Sequence, residues 1–293
     1  MNVLTFDTEE WYNEKINFNG GRESKFKQYD EAFSRLLDQL DELHLKGTFF
    51  CLGKLAEEFP YVVKEIAKRG HEVGCHSHEH KWLNKMTENE FRNDTRSAIN
   101  ALEDLIGQKV VSYRAPAFTI GENNKWAIDI LAECGIENDA SIFPAKRAFG
   151  GFSNFGEATP CNIEHDGARL REFPVCIANA FGKQLVFSGG GYFRVFPYWY
   201  QKYQMNHRDY TIWYLHLLDL VSEQKVMMTK EQYEVYYKEK GTLLNRYMRY
   251  FKTTIGSGGA YEKLVQLLKD GEFINVQKAV EMIEWSNVKT VKI

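Results

Sequence analysis

The sequence predicts an α/β protein in which helices alternate with the strands of a parallel sheet or barrel. Two observations carry that expectation. One junction recurs along the chain, a helical segment closed by glycine with a β-rich run directly behind it. The segments ahead of those glycines also repeat their apolar residues at helical spacing. Glycine just past a helix accepts the left-handed backbone that ends it. Alternation of strands and helices at this length builds βα units.

The elements follow in order. Val3 to Phe6 is an apolar run that reads as the first strand. Phe33, Leu36, Leu37, Leu40 and Leu43 form the stripe of a helix that closes before Gly47, and Thr48-Phe49-Phe50 is the next strand. Leu55, Phe59, Val62, Val63 and Ile66 form a second stripe, closed at Gly70 ahead of the strand His71–Cys75. Phe91, Ala98, Leu102 and Leu105 form a third, opened by the capping-box pattern Thr87-Glu88-Asn89-Glu90 and followed by Val110–Tyr113. Gly135 ahead of Ile136 and Gly271 ahead of Phe273–Val276 repeat the junction. The order loosens between Phe143 and Gly191, where glycines gather, Gly182 among them. That stretch reads as long loops around a site with one strand at Leu170–Val175. From Thr229 the chain reads as charged and helical, with Tyr233, Tyr236, Tyr237, Leu243, Leu244 and Tyr247. No linker divides it. The expectation is a single domain over 1–293, with a core over about 1–220 and a helical extension over about 221–293.

Composition bounds the function. The chain has 293 residues, 44% hydrophobic and 26% charged, with net charge −3. A chain of this size buries a large core. No basic face suits nucleic acid, and no apolar stretch is long enough to span a membrane. The start of the sequence lacks the pattern of a secretory leader, so a cytoplasmic protein is expected. Five cysteines, none at C-x-x-C spacing, form neither a zinc ribbon nor a disulfide framework. Aromatic residues make up 14%, and such rings suit the apolar faces of sugars.

Polar clusters sit where strands end, the rim at which βα folds build their sites. His76-Ser77-His78-Glu79-His80 follows the strand His71–Cys75. On a helical turn, His76 and His80 would share one face and hold a divalent metal. Asp7-Thr8-Glu9-Glu10 ends the first strand, where a metal hydrolase needs one carboxylate as ligand and another as proton acceptor. Arg114-Ala115-Pro116-Ala117-Phe118 follows Val110–Tyr113, and a fixed arginine clamps carboxylates. His216 closes the apolar run Trp213-Tyr214-Leu215.

Taken in order, these clusters resemble the polysaccharide deacetylase family, the NodB-homology or carbohydrate esterase family 4 group. The resemblance rests on Asp7, on H-S-x-x-H at His76–His80, on R-x-P-x-F at Arg114–Phe118, on Asp139 in Asp139–Pro144 and on Leu215-His216. It covers about residues 1–220. Gly189-Gly190-Gly191-Tyr192-Phe193-Arg194 points to a branch found in bacterial exopolysaccharide and surface-glycan clusters. The resemblance implies a distorted (β/α) barrel and a hydrolase that removes N-acetyl groups from an amino sugar of a glycan or its precursor. It implies a metal held by Glu9, His76 and His80, zinc first and nickel, cobalt or iron as alternatives. It gives Asp7 the role of base, Arg114 that of holding Asp7, and His216 that of acid with Asp139 orienting it. Backbone N–H near Phe118 would help hold the oxyanion. Thr8 departs from the family's paired aspartates, which leaves the carboxylate ligand open between Glu9 and Glu10. Hydrolysis of a small cyclic amide or imide, and a degenerate glycan-binding module, are the rival readings.

Overall fold

A computed structural model of the chain describes residues 1–145, 150–156, 158–180, 183–221, 227–237 and 239–293. Gly182 and the side chain of Tyr236 lie outside what it describes. Its first strand, β1 (Asn2–Thr8), buries Val3, Leu4 and Phe6 on both faces, as a central parallel strand must. β2 (Thr48–Cys51), β3 (Glu72–Cys75), β4 (Ser112–Tyr113) and β5 (Asn138–Asp139) continue the sheet in parallel, each paired with the strand before it.

β6 (Cys161–His165) and β7 (Ala168–Glu172) form a hairpin, and β7 pairs in parallel with β5. Asp166 and Gly167 turn that hairpin with φ of 41° and 91°, the positive values a two-residue turn requires. β8 (Ile177–Ala180) and β9 (Lys183–Val186) make a separate two-stranded ribbon. β10 (Thr211–His216) lies along the outer edge of β1 in parallel register, with Asp7 opposite His216. β11 (Phe273–Ile274) pairs with β1, and β12 (Thr290–Lys292) pairs with β6. The path runs β10-β1-β2-β3-β4-β5-β7-β6-β12. The result is a (β/α) barrel-like sheet whose end strands, β10 and β12, do not pair with each other.

The expected helices cover this sheet. Glu23–Glu42 buries Phe33, Leu36, Leu37 and Leu40, and Pro60–Lys68 buries Val62, Val63 and Ile66. Glu88–Ile106 begins with the reciprocal capping box between Thr87 and Glu90 and ends at Gly107 in the left-handed region, φ 68°. Several elements differ from the sequence reading: the second stripe is split at Phe59 into helices Gly53–Glu58 and Pro60–Lys68, and β6, β8 and β9 fall where loops were expected. The strand expected at Leu170–Val175 ends at Glu172 because Pro174, which has no N–H, cannot continue a ladder. Bonding goes on irregularly, from Phe173 N–H to the Asp139 carbonyl and from Val175 N–H to that of Ile142. The extension is not wholly helical. Helices Lys230–Tyr237, Leu243–Thr254, Ala260–Asp270 and Val276–Met282 are accompanied by β11, between the last two, and β12, after the last, and both strands enter the main sheet.

One core histidine gives the fold a pH signature. His71 is buried, and its Nδ1 accepts the Gly47 N–H at 3.3 Å. Burial, with Lys46 beside it, lowers its pKa from 6.5 to about 4. The folded chain therefore keeps His71 neutral where the unfolded chain protonates it, so stability falls as pH drops from about 6.5 toward 4. His71→Asn, which retains an acceptor for Gly47, should lose less stability over that window, by on the order of 2–3 kcal/mol. Urea midpoints at neutral pH and at pH about 4.5 would show it, and parallel declines in the two proteins would refute it.

Candidate active site

The ends of β1, β3, β4 and β10 meet at one rim, and the polar clusters meet there with them. Asp7 is the last but one residue of β1. Its Oδ1 accepts from Arg114 Nη1 at 2.8 Å, and both side chains are buried. Arg114 follows β4 and reaches across the interior. The same Nη1 donates to Thr5 Oγ1 at 2.8 Å, Nε donates to the Ala140 carbonyl at 3.1 Å, and Thr5 passes its own proton to the Trp213 carbonyl at 2.7 Å. One guanidinium thus ties together β1, β10 and the segment after β5. Burial raises the pKa of Asp7, but Arg114 together with His76 and His216 outweighs it and lowers the pKa, so the carboxylate is ionised.

Glu9 lies just beyond β1. Its Oε2 is 2.5 Å from His80 Nε2 and 3.8 Å from His76 Nε2. Of the two candidate carboxylates it is Glu9 that joins the histidines. Glu10 turns away, accepting the Leu218 N–H at 3.1 Å. Burial, with Glu9 adjacent, pushes the Glu10 pKa up to about 7.

The histidines converge by a route the sequence reading did not foresee. No helical turn follows β3. Ser77 and His80 both take left-handed backbone, with φ of 71° and 59°, and the two rings approach with centroids 5.3 Å apart. His80 N–H donates to Ser77 Oγ at 3.0 Å, which fixes the loop. His76 Nδ1 lies 2.8 Å from the Arg114 carbonyl. A carbonyl can only accept, so Nδ1 carries the proton and Nε2 offers its lone pair. Burial pulls the His76 pKa down to about 4, which keeps that lone pair available at neutral pH.

These three residues fit a metal. Their ligand atoms lie within 4.8 Å of one another. The buried Glu9 Oε2 lies between the two imidazole nitrogens, 2.5 Å and 3.8 Å away, without a well-aligned hydrogen bond to either, an arrangement that suits a shared cation. Two imidazoles and a carboxylate are the donor set of a catalytic site with an open position, and the Arg114 carbonyl behind His76 holds its ring in place.

His216, at the end of β10, faces them. Its Nε2 lies 3.9 Å from Asp7 Oδ2 and 3.8 Å from Glu9 Oε1. The carboxylate at its Nδ1 is Asp219, 3.1 Å away. Burial works against protonating His216, but Asp219, Glu9 and Asp7 outweigh it and raise the pKa to about 10. Asp139, expected to orient His216, does other work. On β5 it is the register partner of Glu172 and accepts from Ser141 Oγ at 2.5 Å, while Ser141 accepts the Ala115 N–H at 2.8 Å. Asp139 therefore braces the loop that carries Arg114. Burial lifts its pKa to about 6, and burial together with Asp139 lifts Glu172 well above the usual carboxylate range. The two share a proton. The Phe118 N–H is already given to the Ala115 carbonyl at 3.0 Å.

The sequence reading missed Asp219. The glycine-rich segment explains how it is held. Helix Gly190–Val195 brings Arg194 Nε to 3.4 Å from Asp219 Oδ1. A side chain at Gly189 would collide with the Tyr214 ring, and one at Gly190 with the Asp219 carboxylate. Glycine is required at both positions for that close approach. Arg194 also donates to the carbonyls of Lys252 and Thr253. A cavity of about 600 Å³ opens beside Glu9, His216 and Asp219 and runs along the C-terminal helices.

The barrel-like α/β fold thus gathers a carboxylate, an ion-paired aspartate and three histidines at one rim of strand ends. The model of the polysaccharide deacetylase family matches residues 3–138. A second model, a domain of unknown function (DUF3473), matches residues 140–281. A peptidoglycan-N-acetylglucosamine deacetylase of Bacillus cereus is 41% identical over 100 residues, which are 34% of this chain and 36% of that relative. The chain thus spans about a third of that relative's length. Among solved structures, a Mycobacterium smegmatis protein provisionally assigned as a polysaccharide deacetylase superposes with TM-score 0.63 at 18% identity, covering 100% of this chain and 92% of that one. A carbohydrate esterase family 4 pseudoenzyme of Bacillus anthracis superposes with TM-score 0.50 at 13% identity, covering 100% and 69%. At such identities these two show the fold alone.

The Asp7–Arg114 pair yields a stability prediction. Removing one partner of a buried ion pair strands the other charge at a cost of about 3–5 kcal/mol. Asp7→Ala should therefore lower the urea midpoint by that equivalent. A variant as stable as the parent would mean that Arg114 finds another partner.

Proposed function

We propose that the chain is a metal-dependent hydrolase that removes an N-acetyl group from an amino sugar of a glycan or glycan precursor. The observation that carries this reading is the meeting of Glu9, His76 and His80 within 4.8 Å of one another, flanked by Asp7 and His216. The family of residues 3–138 and the deacetylase name of the Bacillus cereus relative support it. Zinc is the proposed ion, since nitrogen and carboxylate ligands in an open site suit it.

A divalent ion bound there supplies Lewis acidity, which polarises the acetamide carbonyl and makes a water a better acid. Asp7 is placed to take that water's proton. Its Oδ1 is pinned by Arg114, which leaves Oδ2 on the His216 side, 3.9 Å from Nε2. Because its pKa is lowered, Asp7 is ionised throughout the working range but accepts a proton only from an acidified donor. His216 is the complementary acid. Asp219 fixes the ring through Nδ1, so Nε2 is the nitrogen that faces the site and protonates the departing amine. The pair follows the rule that an acid and a base are separated by opposite environments. Atoms balance: water divides into the hydroxyl of acetate and the proton that reaches the amine.

Two replacements separate the roles. His80→Ala should abolish both bound metal, read by elemental analysis, and acetate release. His216→Asn should keep the metal while lowering kcat at least 100-fold, the usual worth of a general acid. Acetate release that survives His80→Ala in metal-free protein would end the proposal.

A further inference from the structure

The cavity that begins at His216 changes character along its length. Near the rim it is lined by carboxylates. Further out, one wall is the inward face of helix Leu243–Thr254, and Arg246, Arg249, Tyr250 and Thr253 line it. These four stand at i, i+3, i+4 and i+7, one side of a helix. The opposite side exposes Leu243, Leu244, Tyr247 and Met248. This is the reverse of a helix packed on a core, which turns its apolar stripe inward. The inward face is therefore suited to whatever the cavity holds.

That face is cationic and short of counter-charge. The helix has no acidic residue. Arg246 Nε donates to the Met228 carbonyl at 2.9 Å. Among the described residues no carboxylate comes within ion-pair distance of it. Arg249 stacks on the Tyr237 ring, 4.2 Å from its centroid, and has one exposed acid, Glu239, at 3.5 Å. Across the cavity Lys25 donates to Gln28 at 2.7 Å and has no acid partner among the described residues. Glu14 and Arg22, which also line the cavity, neutralise each other at 2.5 Å. Half-buried cations without partners are costly, and planar guanidinium groups match phosphate and carboxylate.

The helix also measures distance. Arg194 ties the Thr253 carbonyl to Asp219, and Asp219 holds His216. Counting back from Thr253 at 1.5 Å per residue, Arg249 stands about 6 Å and Arg246 about 10 Å further along the axis. A charge held there belongs to a different part of the substrate from the acetamide.

Resting on the deacetylase reading, we propose that this wall is an oxyanion subsite and that the substrate is an anionic amino sugar, whose phosphate or carboxylate is held by Arg246 and Arg249 while its acetamide lies at His216. The test compares kcat/KM for acetate release by the metal-loaded full chain on three probes: an N-acetylhexosamine phosphate, an N-acetylhexosaminuronate and a neutral N-acetylglucosamine oligomer. Calorimetric binding of inorganic pyrophosphate, which needs no turnover, runs beside it. One anionic probe should exceed the neutral one by at least about tenfold, equivalent to about 1.4 kcal/mol. Arg246→Met and Lys25→Met should erase that preference, and Arg246→Lys should restore part of it. Which probe wins identifies the anion as phosphate or carboxylate. Equal turnover of all three, unchanged by Arg246→Met, overturns the subsite and leaves the deacetylase reading standing. If no probe releases acetate, pyrophosphate binding weakened about tenfold by Arg246→Met upholds the subsite while the deacetylase reading fails. Binding that the variants leave unchanged overturns the subsite as well.

Discussion

The buried contact between Arg114 and Asp7 is the constraint on which the rest of the site depends. Arg114 is fully buried, and a guanidinium in such a place must be surrounded by acceptors. It finds them on Asp7 and Thr5 of β1 and at the Ala140 carbonyl after β5. Its own carbonyl orients His76. The arginine therefore favours the ionised form of Asp7 and sets the tautomer of His76 and the spacing of strands that do not neighbour one another. Asp139, Ser141 and Glu172 hold the loop that carries it. The carboxylate pair sharing a proton beneath the rim serves the site at one remove, through this arginine.

Much of this was legible in the sequence. The helix–glycine–strand junction located β2 to β5, and the polar clusters at strand ends located Asp7, Glu9, His76, His80, Arg114 and His216. What failed to show is local geometry and pairing over distance. Periodicity carries no sign of left-handed backbone at Ser77 and His80, so a helical turn was the natural expectation. Asp139 and Asp219 are both aspartates near strand ends, and only the fold shows which one meets His216. The hairpin of β6 and β7 was legible, since Asp166-Gly167 between alternating residues is a strong turn signal, but the glycines around it made the segment read as loop. The junction at Gly271 also located β11, whereas β12 is three residues long, too short for any pattern.

The C-terminal segment is as much a part of the site as the N-terminal one. Asp219 lies within the stretch matched by the domain of unknown function, and so do Arg194, the two glycines that make room for Tyr214 and Asp219, and the helix that walls the cavity. Asp7, Glu9, His76, His80 and Arg114 come from one matched segment. His216, Asp219 and the far wall come from the other. Neither segment holds a complete constellation alone.

The pairing of β11 with β1 has a consequence for synthesis on the ribosome. One edge of β1 is covered by β10, and the other is shared by β2 and, at Asn2 and Val3, by β11. β1 thus obtains its last partner only when Phe273 and Ile274 emerge. Until then the nascent chain carries a strand left unpaired along one edge at Asn2 and Val3, the kind of edge that recruits other chains. The sequence separation between these partners makes this closure slow. The interval before β11 is made is when a holdase chaperone would have most to protect.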